Sequence, residues 1–187
     1  MNLKKKLLLL FNLLSITIAS AQFEKGDMVA NFGIGVGGYY AMGNGYSTKI
    51  PPIELSGEYF IMENISVGGF IGGSKSELEV KVPGHNDYET FSYSYFNIGT
   101  IGNYHFLNQE KLDFYAGARL GYVGLKLKYD EDEFNSDFDI DGLGARSSGV
   151  LAGAHVGGRY FFTDQFAANA ELGYGIAILK IGISYKI

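Results

Sequence analysis

A two-residue alternation of apolar and small or polar side chains recurs from Asn31 to Ile187 and leaves few folds open to this chain. At the C-terminus Leu179, Ile181, Ile183, Tyr185 and Ile187 share one phase, and Lys180, Gly182, Ser184 and Lys186 the other. Side chains alternate across a strand, so this period specifies a sheet with two chemically different faces. The same pattern marks 53–61, 112–122, 150–162 and 166–174, and a first strand over about 28–42; segments 65–81 and 91–106 complete a set of about eight strands. The phase is less regular around Tyr93 to Ile98. With 27 Gly, 14 Tyr, 14 Phe and only 3 Pro, the composition suits strands far better than helices.

The first 21 residues stand apart. Lys4-Lys5-Lys6 precedes an apolar run from Leu7 to Ile18, and Ala19-Ser20-Ala21 has the small-x-small form of a leader cleavage site. The expected division is a cleavable signal peptide, 1–21, and one barrel domain, 22–187. The run is too short for a spanning helix. Losing it removes three lysines and no acid, so the exported chain is more acidic than the formal −5 of the whole. Such a charge speaks against a nucleic-acid partner, which needs a basic face. The absence of Cys excludes disulfides and thiolate metal sites, and three scattered His make a His-built metal centre improbable.

Connections alternate in length. Met62 to Asn64, Leu107 to Lys111 and Thr163 to Gln165 are short. Gly43 to Lys49, Val82 to Thr90 and Tyr129 to Arg146 are longer and polar, and a tight turn falls near Gly175. Short turns at one end and long loops at the other are the plan of an eight-stranded antiparallel up-and-down transmembrane β-barrel. The polar phase is mostly Gly, Ser and Asn, which suits a crowded lumen better than a solvated exterior. Phe32 with Tyr40, Phe114 with Tyr122, Phe166 with Tyr174, and Tyr160 with Phe162 fall where aromatic girdles are expected. A soluble, lipocalin-like barrel would carry the apolar phase inside.

The chain resembles small OmpA/OmpX-type outer-membrane barrel proteins. The resemblance rests on the Ala19-Ser20-Ala21 site, the Gly-rich strand Asn31-Phe32-Gly33-Ile34-Gly35-Val36-Gly37-Gly38-Tyr39, and the closing strand Ile181 to Ile187. It implies an outer-membrane location in a Gram-negative bacterium, contact with lipid and lipopolysaccharide, and delivery by the barrel-assembly machinery. In that family the last strand is the assembly signal and usually ends in Phe; here it ends in Ile187, with Tyr185 two before it. The functions implied are an envelope or surface-interaction role with a filled lumen, a minor pore or carrier for small or apolar solutes, or a lipid A-modifying enzyme.

Three constellations stand out. Glu54, Glu58, Arg119, His155, Arg159, Glu171 and Lys180 share the Gly/Ser phase, joined by His105, and form an expected lumen charge network. Unpaired charges there are costly, so opposite signs should meet, with Arg159 and Glu171 placed to pair diagonally. No His has a Ser beside it in sequence, so no catalytic residues are assigned and the chain is not expected to be an enzyme. Asp137-x-Asp139-x-Asp141-Gly142 matches the start of a calcium loop, but position 148 is Ser148 rather than the closing Glu, which leaves a weak extracellular Ca²⁺ site as the only cofactor expectation. Tyr39, Tyr40, Tyr93 and Tyr95 form a candidate aromatic rim.

Overall fold

The structure, a computed structural model, describes residues 23–37, 46–81, 88–130 and 146–187. Eight strands follow one another: β1 Met28–Val36, β2 Tyr46–Met62, β3 Ile65–Lys81, β4 Tyr88–Asn108, β5 Leu112–Asp130, β6 Arg146–Phe161, β7 Phe166–Tyr174 and β8 Leu179–Lys186. Each pairs antiparallel with its sequence neighbour, and β1 pairs with β8, so the sheet closes and has no edge through the band where all eight strands run. The fold is a closed eight-stranded antiparallel β-barrel.

The short connections are stabilised locally. In the β6–β7 turn the Thr163 hydroxyl oxygen accepts the Phe166 amide at 2.9 Å. In the β4–β5 turn the Gln109 amide donates to the Leu112 carbonyl at 2.8 Å. The opposite turn between β7 and β8 uses Gly175 at φ 140°, a conformation that L side chains rarely adopt.

The wall is uneven. β4 has 21 residues and β5 has 19, whereas β8 has 8 and β1 and β7 have 9 each. Consequently the expected loops at Tyr46 to Lys49 and Tyr88 to Thr90, and the loop ends at 129–130 and Arg146, are strand. The first strand ends at Val36 rather than near residue 42, and 38–45 lie outside the described residues. The extra strand length escaped the alternation because both faces are polar there, while the backbone ladder continues regardless. Pro51 and Pro52 fit inside β2 because β1 pairs with it only as far as Ile53, so that side has no ladder partner among the described residues; the β2–β3 register shifts at the same place.

Burial settles which face is which. Phe32, Leu55, Ile71, Phe96, Ile98, Leu120, Val156 and Ile181 are exposed on the outside, while Asn31, Glu54, Glu58, Asn103, Arg119 and Lys180 are buried within. This is the reverse of a lipocalin-like barrel and the arrangement of a membrane one. Aromatic residues collect near the short turns, where Phe106 stacks on Phe114 and Phe166 on Phe162, and Phe166 meets Tyr185 at a tilt. Of the expected rim, Tyr95 is buried in the lumen, and Tyr39 and Tyr40 lie outside the described residues. So do Asp137, Asp139 and Asp141.

The interior is layered, and two of its layers are apolar. Next to the short turns Phe23, Val29, Phe60, Phe161 and Ala167 form one cluster. Toward the other end Phe70, Ile101, Val123, Leu151 and Ile176 form a second. The ionised groups lie between them.

Candidate functional site: a charge network between two apolar plugs

Two linked groups of side chains fill the middle of the lumen. The group nearer the short turns is centred on Arg159 of β6. Its guanidinium donates to Asp113 Oδ2 on the adjacent β5 at 2.7 Å, and to Glu58 Oε1 on β2, which lies across the barrel. Glu58 also accepts from Asn31 at 2.8 Å, from Asn103 at 2.7 Å and from the Ser66 hydroxyl at 2.6 Å. A carboxylate has about four lone-pair sites, and four donors fill them.

The second group joins four strands. Arg119 of β5 donates to Glu54 of β2 at 2.6 Å and to Glu171 of β7 at 3.0 Å. Lys180 of β8 pairs with the same two carboxylates, at 2.7 Å from Glu171. Two cations and two carboxylates thus alternate around a ring. Tyr115 and Asn103 connect the groups: the Tyr115 hydroxyl donates to Glu171 Oε1 at 2.9 Å, its ring lies 4.4 Å from the Arg159 guanidinium, and Asn103 Oδ1 is 2.8 Å from His155 Nε2. A void of about 10 Å³, close to the size of one water, remains beside Arg119, His155, Glu171 and Lys180.

The lumen-facing residues named from sequence are therefore all buried side chains of one connected network. The expected diagonal pairing of Arg159 with Glu171 is not among its contacts. Arg159 stands opposite Asn169 in the β6–β7 ladder. It turns instead toward Asp113, its ladder partner on β5, and across to Glu58. Glu171 is left to Arg119 and Lys180.

Sequence reasoning missed Asp113, Ser66 and Asn103. Asp113 shares the phase of Arg119, which was the available signal. Ser66 has no histidine near it along the chain, and it is pairing of β3 with β4 that brings it to His105 across 39 residues. The result has the contact order of a hydrolytic triad: Ser66 Oγ is 3.0 Å from His105 Nε2, and His105 Nδ1 is 2.6 Å from Asp113 Oδ1. Its surroundings differ from those of a hydrolase. The Ser66 hydroxyl donates its hydrogen bond to Glu58, and Ser66, His105 and Asp113 are at most 3% exposed. A nucleophilic serine needs its base to receive that proton and needs room for a carbonyl.

Both ends of the network are covered by aromatic rings. Phe23 stacks on Phe60 at 4.3 Å, meets Phe161 edge-on at 5.4 Å and lies 5.8 Å from the Arg159 guanidinium. Asn108 pins its backbone, accepting from the Phe23 amide and donating to its carbonyl. On the other side the Arg119 guanidinium sits 5.4 Å from the Phe70 ring.

Replacing Tyr115 by Phe removes one donor to a buried carboxylate and is expected to cost about 1.5–3 kcal/mol. The urea midpoint at which the folded band is lost on a gel measures this. A midpoint equal to that of the parent protein would show that the hydroxyl contributes nothing.

No family model matches the chain, and no curated protein matches its sequence. Solved structures do. The outer membrane protein OprG from Pseudomonas aeruginosa is similar with a TM-score of 0.58 at 11% identity, over 89% of this chain and 98% of that one. AlkL, an outer membrane protein studied in lipid bilayers, gives 0.48 at 20% identity over 88% and 92%. Ail, the attachment invasion locus protein of Yersinia pestis, gives 0.48 at 13% over 88% and 100%. The likeness to OprG shows the fold, that of an outer-membrane β-barrel.

Proposed function

We propose that the chain is exported, loses its leader after Ala21, and resides in the outer membrane of a Gram-negative bacterium as a closed-lumen barrel. Its role is in the envelope or at the cell surface, through the tall β2–β6 wall and its loops. One observation carries this reading: the Arg159–Glu58 pair joins strands on opposite sides of the barrel, within a network held between the Phe23 and Phe70 plugs. An ion crossing the lumen would have to break buried ion pairs, each of which is costly to open. The outward apolar residues supply the lipid-facing band, and lipid, lipopolysaccharide and, during biogenesis, the barrel-assembly machinery are the partners this placement implies. A catalytic role is not part of the proposal, because the Ser66 proton is committed to Glu58 beneath the Phe23 plug.

Planar-bilayer recording tests it. The purified barrel is expected to insert without resolved single-channel steps in 1 M KCl. Regular, reproducible steps from the parent protein would favour the minor pore and overturn the closed-lumen reading.

A further inference from the structure

The outer wall changes character at one height on three neighbouring strands. On β4 the exposed outward residues run from Phe106 and Tyr104 to Ile98 and Phe96, and half-buried Ser94 follows them. On β5 Phe114, Leu120 and Tyr122 are followed by Gly124 and Lys126; on β6 Tyr160, Val156 and Val150 are followed by Ser148. From Phe106 to Phe96 is about 33 Å of strand, or about 25 Å of height at barrel tilt, which matches an outer-membrane apolar band. Ser94, Lys126 and Ser148 therefore stand where acyl chains give way to headgroups.

The ladder makes these positions adjacent: Ser94 pairs with Lys126, and Phe96 with Gly124, which pairs in turn with Ser148. Because Gly124 has no side chain, a groove of about 400 Å³ opens there, lined by Ser94, Phe96, Tyr122, Lys126 and Ser148. Its floor is aromatic and its upper edge carries one exposed cation and two hydroxyls. Lys75, which follows Ser94 along the ladder on the β3 side, is held by Glu77 at 3.4 Å. Lys126, whose ladder partner on β6 is Arg146, has no ion pair among the described residues.

We infer that this groove binds a phosphorylated lipid of the outer leaflet, with its phosphate on Lys126, Ser94 and Ser148 and an acyl chain along Phe96 and Tyr122. The inference rests on the outer-membrane reading above and names a site for it. A phosphate answers an ammonium that has no ion pair among the described residues, and the attached chain answers the aromatic floor below it. Neither half alone accounts for a groove that is basic at its upper edge and apolar beneath.

The test is titration of the detergent-folded barrel with bis-phosphorylated lipid A, read by native mass spectrometry. The parent protein is expected to hold it about five- to tenfold more tightly than the dephosphorylated lipid. Lys126→Gln is expected to remove that preference. Gly124→Leu is expected to weaken both lipids by filling the groove. A Cβ at this position meets Tyr122 only at ordinary contact distance, 3.5 Å, so the barrel has room for the substitution. Equal binding of the two lipids, unchanged binding by both variants, or displacement of lipid A by millimolar inorganic phosphate would overturn the inference; the last would mark a small-anion site. Insertion into phosphatidylcholine vesicles, scored by heat-dependent gel mobility, is run in parallel. Failure of the parent protein to insert sinks the membrane reading, whereas insertion without lipid A selectivity sinks only the groove.

Discussion

Replacing Arg159 by Met is expected to destabilise the folded barrel by about 3–5 kcal/mol. The thioether fills most of the volume, so the cost is electrostatic. Glu58 and Asp113 would remain buried with their shared cation gone. Asn31, Asn103 and Ser66 still donate to Glu58, but no positive guanidinium offsets its charge. Adding Glu58→Gln and Asp113→Asn to the same chain should recover part of the loss, because a neutral set of similar shape carries no ionic desolvation penalty. Urea titration in detergent micelles, followed by gel mobility, measures all of these variants. An Arg159→Met protein within about 0.5 kcal/mol of the parent, the range typical of an exposed surface site, would mean that the pair is solvated.

The second large effect is steric. Gly182 of β8 faces Gly33 of β1 across the seam that closes the barrel. A Cβ at Gly182 would run into the Phe32 carbonyl oxygen, which is backbone and cannot swing aside. Gly182→Val is expected to cost about 3 kcal/mol and to reduce the yield of folded barrel. Gly57→Ala is the control. A Cβ there meets nothing within 4 Å, and its stability should stay within about 0.5 kcal/mol of the parent. If both substitutions behave alike, strand propensity rather than seam packing governs these glycines.

The strand count, the short turns and the inside-out polarity were legible in the sequence because lipid and lumen impose opposite chemistry on alternate residues. Ile181, Ile183 and Lys180 already declare their faces. Two kinds of information were not legible. Above the apolar band nothing enforces alternation, so the upper parts of β2, β4 and β5 looked like loops. Inside the barrel, parity says that a residue points inward but not whom it meets. Phe23, Phe60, Phe70 and Phe161 share the inward direction with the charges, and only the closed geometry shows them as plugs. The partner of Arg159 depended on register and on side-chain reach across the lumen. A diagonal neighbour in sequence, Glu171, lost to Asp113 and Glu58 for that reason.

The network also carries a timetable. Arg159 and Asp113 belong to one hairpin and are 46 residues apart, so their contact can form as soon as that hairpin does. Glu58 is 101 residues from Arg159, and Lys180 is 126 from Glu54; both meet only when the sheet has curled on itself. Contacts so distant in the chain are slow to form, since long loops must first be closed. Until then Glu54 and Glu58 stay hydrated on an open sheet. The final step must strip water from both carboxylates, join β1 to β8 and seat Phe23 beneath Arg159. The seam is therefore expected to dry last, and a mutation on either side of it is expected to slow closure before it affects any hairpin.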